Sequence, residues 1–484
     1  MGRIATLVVL SILLLAIFPY TAHTAKVFAA VNCCQYAIIL SEIEPRPGES
    51  VGFTGIVTDQ YGAAEPGVQV HYHQTGLDKN VTTDSSGIFQ FSLVIPQIQG
   101  GSVIGYTVSM NDSSTNWHDG LADAYAVSSG PQSGNLPVLY YNQWGGRGSY
   151  ISLNSPKEPA IIYVGGGYET DYLHGATPLD SATLSFLDYL KGIGFNVIAP
   201  AGWVVTDVPS FPLVIGALLK HGFAFSKVYL LGWSAGGVAS AWALTRDFNR
   251  VFDLAVIMDA ELTGPSENTT KTDYSVFSTA QFAGQVGVPH LLIYGKDDTG
   301  AIGVQTAAQW VSHAQFGLTR LDVLSYSHTW LGTSIESVIR NDLVTFYTNA
   351  TVGSNFSANV GGNSTIRITS RSGVRSVSYN PSQRTLNLAT SGQSGAIMPG
   401  VINLAVPISL IDGEPAATID NNTIDSSFSK VGGYYYVFLT YPDGSHTILV
   451  GGKNTIPEFP YSILILALVL IATLNWTKRL RTRA

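Results

Sequence analysis

Three rhythms of apolar residues follow one another along the chain. From 36 to 130 apolar and polar positions alternate with a period of two, as in Val51-Gly52-Phe53-Thr54-Gly55-Ile56-Val57 and Val68-Gln69-Val70-His71-Tyr72-His73. Turn residues at Asp59-Gln60-Tyr61-Gly62 and Asp84-Ser85-Ser86-Gly87 punctuate the runs, which predicts an all-β sandwich. Residues 131–157, rich in Ser, Gly, Pro and Asn, read as a linker. From 158 to 348 continuous apolar runs at 160–164, 196–199, 227–231, 254–258, 290–294 and 320–324 take over. Helix-length segments at 181–191, 212–221, 235–247, 304–315 and 333–347 separate them, which predicts a mostly parallel sheet with helices on both faces. Residues 352–452 return to short strands around a Pro442-Asp443-Gly444-Ser445 turn. The expected fold class is multi-domain: a central α/β unit flanked by two all-β sandwich-like domains.

Both chain ends depart from these rhythms. Arg3 precedes the apolar run Leu7 to Phe18, and the small residues beyond offer cleavage after Ala25 or Ala29. Residues 1–29 therefore read as a secretory signal peptide, with an uncleaved anchor as the alternative. Residues 456–476 form a predominantly apolar stretch, long enough against the roughly 20 residues that cross hydrocarbon to predict a C-terminal transmembrane helix. The basic tail 477–484 that follows is expected in the cytoplasm, which puts the bulk of the chain at the cell surface. Sequons at Asn80, Asn111, Asn268, Asn349, Asn355, Asn363 and Asn421 suit that location.

Composition narrows the classes. Charged residues make up 12% of the 484 and hydrophobic ones 45%, which argues against disorder and coiled coil. Lys478, Arg479, Arg481 and Arg483 are four of the 25 basic residues, so the rest of the chain sets 21 against 33 acidic ones, a net −12. Such a body repels phosphate, and no nucleic-acid partner is expected. Cys33 and Cys34 are the two cysteines, adjacent, so neither a disulfide framework nor a cysteine zinc site is expected to hold the fold. His71 and His73 share a strand face and read as a solvent-facing pair without a third ligand, and no metal or cofactor is expected.

The chemistry concentrates in the middle segment. Gly232-Trp233-Ser234-Ala235-Gly236 matches G-x-S-x-G, but so does Gly48-Glu49-Ser50-Val51-Gly52 at the start of a strand with no helix behind it. Ser234 follows an apolar strand and precedes a helical run, and a strand-turn-helix junction is what a nucleophile elbow requires. A serine hydroxyl needs a base, and the base an orienting carboxylate, in the chain order Ser, acid, His. Of the histidines after Ser234, His290 starts a strand, His313 lies in a helical run, and His446 belongs to the last β segment. His328, in the loop after a strand, is therefore the expected base. Asp298, at the end of the strand beginning at His290, is the expected acid, with Asp297 beside it. Asp259 and Glu261, at the end of the preceding strand, offer the alternative placement. An oxyanion is expected to be held by the N–H of Ala235 and that of Gly166 or Gly167, in the glycine loop after strand 160–164.

With Gly165-Gly166-Gly167-Tyr168, Gly232-Trp233-Ser234-Ala235-Gly236-Gly237, Gly295-Lys296-Asp297-Asp298 and Ser327-His328-Thr329-Trp330 in place, residues 158–348 resemble the α/β-hydrolase superfamily. The elbow looks like that of carboxylesterases and the hormone-sensitive-lipase group, while Val164 stands where those enzymes carry His. The resemblance implies a cofactor-free serine hydrolase cleaving carboxylic esters through an acyl-enzyme. Its rivals are a prolyl-oligopeptidase-like peptidase acting on peptide amides, and a non-catalytic adhesion or envelope protein. The stretches 55–59, 66–70 and 83–89 resemble the regulatory-type Ig-like domains found beside carboxypeptidases. Residues 400–410 and 446–450, with Ile456-Pro457-Glu458-Phe459-Pro460, are similar to the PEF-type C-terminus of archaeal surface proteins. That likeness implies a surface anchor open to archaeosortase processing.

Overall fold

The computed structural model describes residues 34–41, 45–74, 77–111, 117–128, 138–141, 150–166, 179–200, 210–263, 279–298, 303–360, 364–392 and 398–453. At its centre lies a seven-stranded sheet. Along the chain its strands are β1 (Tyr150–Ser152), β2 (Ala160–Val164), β3 (Asn196–Ala199), β4 (Val228–Trp233), β5 (Leu254–Met258), β6 (His290–Gly295) and β7 (Thr319–Leu324). They are ordered β7-β6-β5-β4-β2-β3-β1, all parallel except β1, which runs antiparallel to β3. The six apolar runs of the sequence thus form the six parallel strands to within two residues. Continuous Val, Ile and Leu suit them because helices cover both faces.

On one face pack α1 (Ser181–Gly192) and α5 (Glu336–Asn349), whose Phe186, Leu187, Ile339 and Leu343 meet Ile161, Tyr229 and Val256 of the sheet. Asp180 caps α1 by accepting from the Thr183 N–H at 2.7 Å, which explains where the helix begins. On the other face pack α2 (Phe211–Ala217), continued by a π-helical turn over Leu218–Gly222, with α3 (Ala235–Thr245) and α4 (Val304–His313). Every residue of α2 is buried. A helix apolar all round needs cover on all sides, and the second cover comes from Ala37, Ile39, Ile56 and Ile88 of the N-terminal region, in the same apolar cluster.

That region holds two four-stranded antiparallel sheets, ordered Ile88–Val94, Ser50–Thr58, Gln35–Leu40, Val138–Tyr141 and Leu77–Thr82, Gln69–Gln74, Val103–Asn111, Trp117–Ala126. Ile38 and Phe53 of the first meet Tyr72 and Val108 of the second in one core. Cys34, ahead of the first strand in the chain, is buried and disulfide-bonded. The segment read as a linker is not wholly one. Val138–Tyr141 pairs with Gln35–Leu40, and Tyr150–Ser152 is β1 of the central sheet. Short strands in a Ser- and Gly-rich stretch carry too few alternations to show in the pattern. His71 and His73 do share the outward face, and Asp78 of the neighbouring strand hydrogen-bonds His73, so a carboxylate faces the pair. Among the described residues no group of three or more His, Cys, Asp or Glu is arranged to hold a metal.

Two five-stranded antiparallel sheets follow, spanning Ser354 to Gly452 and enclosing Ile366, Leu404, Leu386 and Val450. The first covers the open edge of β7. Asn403 accepts from the Leu321 N–H and donates to the Leu321 carbonyl, both at 2.7 Å, and Thr440 Oγ1 donates to the Val323 carbonyl. An exposed strand edge is thereby closed to other chains. Below it Arg320 and Arg371 face Asp322 and Asp342 at 2.6 to 3.2 Å, all four buried. Burial alone would raise the Asp322 pKa, but the two guanidiniums outweigh it and hold the carboxyl below its usual range.

Residues 1–29, expected to be a signal peptide, and residues 456–476, expected to be a transmembrane helix, lie outside the described residues. Among the described residues no helix is long and apolar enough to cross a membrane.

Candidate active site

The parallel strands leave one end of the sheet where their carboxyl termini gather. There the strand order reverses: from β2 the chain adds β3 on one side and then crosses to β4 on the other. Open α/β sheets form crevices at such points. The loop after β2 begins with Gly165 and Gly166, and Ser234 follows β4 directly.

Ser234 adopts φ +55° and ψ −122°, a left-handed conformation costly for a residue with a side chain, and α3 starts at the next residue. The turn fits only because of its glycines. A Cβ on Gly236 would lie 2.1 Å from the Val164 carbonyl oxygen and 2.3 Å from that of Gly165. Ser234 N–H donates to the Met258 carbonyl at 2.9 Å, which ties the elbow to the end of β5. The competing motif around Ser50 lies in the strand Ser50–Thr58, with no helix behind it.

His328 Nε2 stands 2.9 Å from Ser234 Oγ, and His328 Nδ1 stands 3.0 Å from Asp298 Oδ2. An ionised carboxylate only accepts, so Nδ1 carries the proton and Nε2 turns its lone pair toward the serine hydroxyl. The Asp298 side chain is 7% exposed and that of His328 33%, so the carboxylate is shielded while the imidazole stays partly open. Trp233 fixes the ring from the side: its indole stacks on the imidazole with centroids 5.7 Å apart, and its Nε1–H donates to the His328 carbonyl at 3.3 Å.

The other candidates sit elsewhere. His290 is fully buried: Nδ1 donates to the Val288 carbonyl, while Nε2 accepts from Trp310 Nε1 at 2.8 Å and from Thr319 Oγ1 at 2.7 Å. Burial pulls its pKa down to about 4. His313 bonds within its own helix end, and His446 bonds to Asp420. Asp297 donates its backbone N–H to the Tyr326 carbonyl. Burial raises the pKa of the half-buried Glu261. Asp259 is fully buried beneath the relay, and both its oxygens accept from groups other than His328. Gly166 lies against Ser234, where an added Cβ would come 3.3 Å from Ser234 Cβ. Ala235 opens α3, where the first N–H groups have no partner within the helix. Gly167 lies outside the described residues. The contacts made by Trp233 and Tyr326 had no signal in the sequence beyond lying next to motif residues, whereas Asp259, expected as the alternative acid from its strand-end position, bonds Gly295 and Tyr326 instead of His328.

No protein-family model matches the chain, and no curated protein does. Solved structures similar to it include the ferulic-acid complex of Est1E from Butyrivibrio proteoclasticus, at 12% identity over 42% of this chain and 94% of that one, TM-score 0.34. The esterase domain of a Rhodothermus marinus protein is 12% identical over 52% of this chain and 100% of that one, TM-score 0.33. A proline iminopeptidase from Mycobacterium smegmatis is 13% identical over 43% and 96%, TM-score 0.31. With likeness this distant, the site's own geometry has to carry the functional reading.

Proposed function

We propose that the chain is an α/β-hydrolase-type serine hydrolase that cleaves carboxylic esters. The relay of 2.9 Å from Ser234 Oγ to His328 Nε2 and 3.0 Å from His328 Nδ1 to Asp298 Oδ2 carries this reading. Ser234 Oγ attacks the ester carbonyl carbon while His328 Nε2 takes its proton, and Asp298 orients the ring and stabilises the imidazolium. Charge develops on the carbonyl oxygen, where the N–H of Ala235 and that of Gly166 or Gly167 stabilise it. The tetrahedral adduct collapses, the bond to the leaving alkoxide breaks, and His328 returns the proton to it. Water repeats the sequence on the acyl-enzyme and frees Ser234.

The proposal includes the cell surface as the place of action. The apolar run after Arg3 and the stretch 456–476 ahead of the basic tail support it. Protease added to intact cells is expected to remove the bulk of the chain, and protection of that bulk until lysis contradicts the placement.

Hydrolysis of p-nitrophenyl acetate and butyrate, set beside a peptide library, tests the reaction class. Rapid ester cleavage that vanishes in Ser234→Ala is expected. Serine-dependent peptide cleavage at equal efficiency moves the assignment to a peptidase. No turnover of either, with no fluorophosphonate adduct, leaves a non-catalytic surface protein.

A further inference from the structure

Asp259 is fully buried at the end of β5, in a left-handed conformation with φ +46°. Its Oδ1 accepts from the Gly295 N–H at 2.8 Å and its Oδ2 from the Tyr326 hydroxyl at 2.9 Å. Gly295 ends β6 and lies three residues before Asp298, and Tyr326 lies two residues before His328. The two loops cross here with no space between them. A Cβ on Gly295 would stand 2.5 Å from the Tyr326 carbonyl oxygen and 2.9 Å from that of Ser327. Above the crossing, Lys296 N–H donates to the Leu324 carbonyl at 2.7 Å and Asp297 N–H to the Tyr326 carbonyl at 3.0 Å. Asp259 grips the same crossing from below. The neighbouring Met258 carbonyl accepts from the Ser234 N–H, so three successive parts of the relay are referred to one strand end.

We propose that Asp259 is a positioning residue: its carboxyl group joins the root of the acid loop to the root of the histidine loop and so fixes the Asp298–His328 contact. The proposal rests on the serine-hydrolase reading for its kinetic consequences, though not for its geometry. Both oxygens of Asp259 are occupied by Gly295 and Tyr326, and both ring nitrogens of His328 by Ser234 and Asp298, so Asp259 acts through the loops alone. A neutral carboxyl serves this task better than a charged one, since a second negative charge beside Asp298 would be costly in a buried site. Burial does push the Asp259 carboxyl well above the ordinary carboxylate range. The charge of Asp298 adds to the effect, and the hydrogen bonds from Gly295 and Tyr326 oppose it. In the neutral form the bond to Tyr326 reverses, with Oδ2–H donating to the phenolic oxygen, and asparagine reproduces that arrangement: its Oδ1 accepts from Gly295, and its Nδ2 donates to the Tyr326 oxygen.

The test combines kinetics on p-nitrophenyl butyrate with crystal structures of Asp259→Asn, Asp259→Ala and Tyr326→Phe. Asp259→Asn is expected within about threefold of wild type, whereas Asp259→Ala loses ~100-fold in kcat with KM little changed, as a misplaced relay does. Tyr326→Phe, which removes one of the two bonds, is expected to lower kcat by about tenfold, again without a KM change. In the crystals the Nδ1–Oδ2 separation should stay at 3.0 Å in Asp259→Asn, as in the wild type. It should exceed about 3.5 Å in Asp259→Ala. A wild-type kcat in well-folded Asp259→Ala, or an unaltered separation there, overturns the proposal. So does a loss in Asp259→Asn as deep as that in Asp298→Asn. If Asp259→Ala fails to fold, Tyr326→Phe decides by the same two readings. A wild-type protein that cleaves no ester defeats the hydrolase reading, while the separations still judge the clamp.

Discussion

Strand β6 has a histidine at its first residue and a catalytic candidate three residues past its last, and the two ends treat their side chains in opposite ways. At the amino end His290 is sealed. Its proton goes to Val288, and its lone pair is held by Trp310 and Thr319. At the carboxyl end Asp298 meets His328, whose lone pair faces a single serine hydroxyl and whose ring is one-third exposed. The imidazoles are the same, but at one end the lone pair serves packing and at the other it is left for a proton. Histidine therefore reports function through the partners of its second nitrogen more than through burial alone.

The largest effect expected at the open end comes from Ser234→Ala, which should lower ester turnover by about 10⁶-fold, the scale set by nucleophile removal in other serine hydrolases. A residual rate within tenfold of wild type breaks the contrast between the two ends. Asp298→Asn should cost about 10⁴-fold in kcat while thermal unfolding stays near wild type. An equal loss in Asp259→Asn instead would place the orienting charge on the preceding strand.

Sealed polar groups should behave in the reverse manner, changing stability and leaving the chemistry alone. Asp322→Ala leaves Arg320 and Arg371 as two buried cations against the one remaining carboxyl, that of Asp342, and should destabilise folding by about 3–5 kcal/mol in urea titrations. Its effect on kcat, measured well below the unfolding transition, should stay small. A smaller stability effect belongs to His290. Its pKa is pulled down to about 4 in the folded chain, against 6.5 for the free side chain. The unfolded state therefore takes up the proton first. The His290 contribution is whole above pH ~6.5, falls as pH drops, and levels off below ~4, a total loss of about 3 kcal/mol. Urea midpoints across this range should fall more steeply for the wild type than for His290→Gln. Parallel curves would show that the amino end is not sealed.

Much of the central sheet was legible because a parallel strand covered on both faces needs four to six apolar residues in a row, and such runs are conspicuous. The elbow was legible because only one of the two G-x-S-x-G matches had a strand before it and a helix after it. Chain order and loop position singled out His328 and Asp298. The clamp at Asp259 was not legible, because its meaning lies in a crossing between loops that are 30 residues apart in sequence between Asp298 and His328. The same holds for Asn403, whose amide imitates a strand against Leu321, 82 residues earlier. Short strands such as Tyr150–Ser152 were hidden for another reason: three residues have no measurable period. Neither kind of feature is written in local composition.

The most direct measurement of the central claim is the site and rate of fluorophosphonate labelling on the full chain, read by peptide mass spectrometry in wild type and in His328→Ala. The reagent phosphonylates only a serine whose proton is being removed. A single adduct on Ser234, formed at least ~100-fold more slowly in His328→Ala, is the expected result, since general-base assistance contributes at least that much. An adduct at another serine, or labelling of Ser234 at the same rate without His328, would contradict the account.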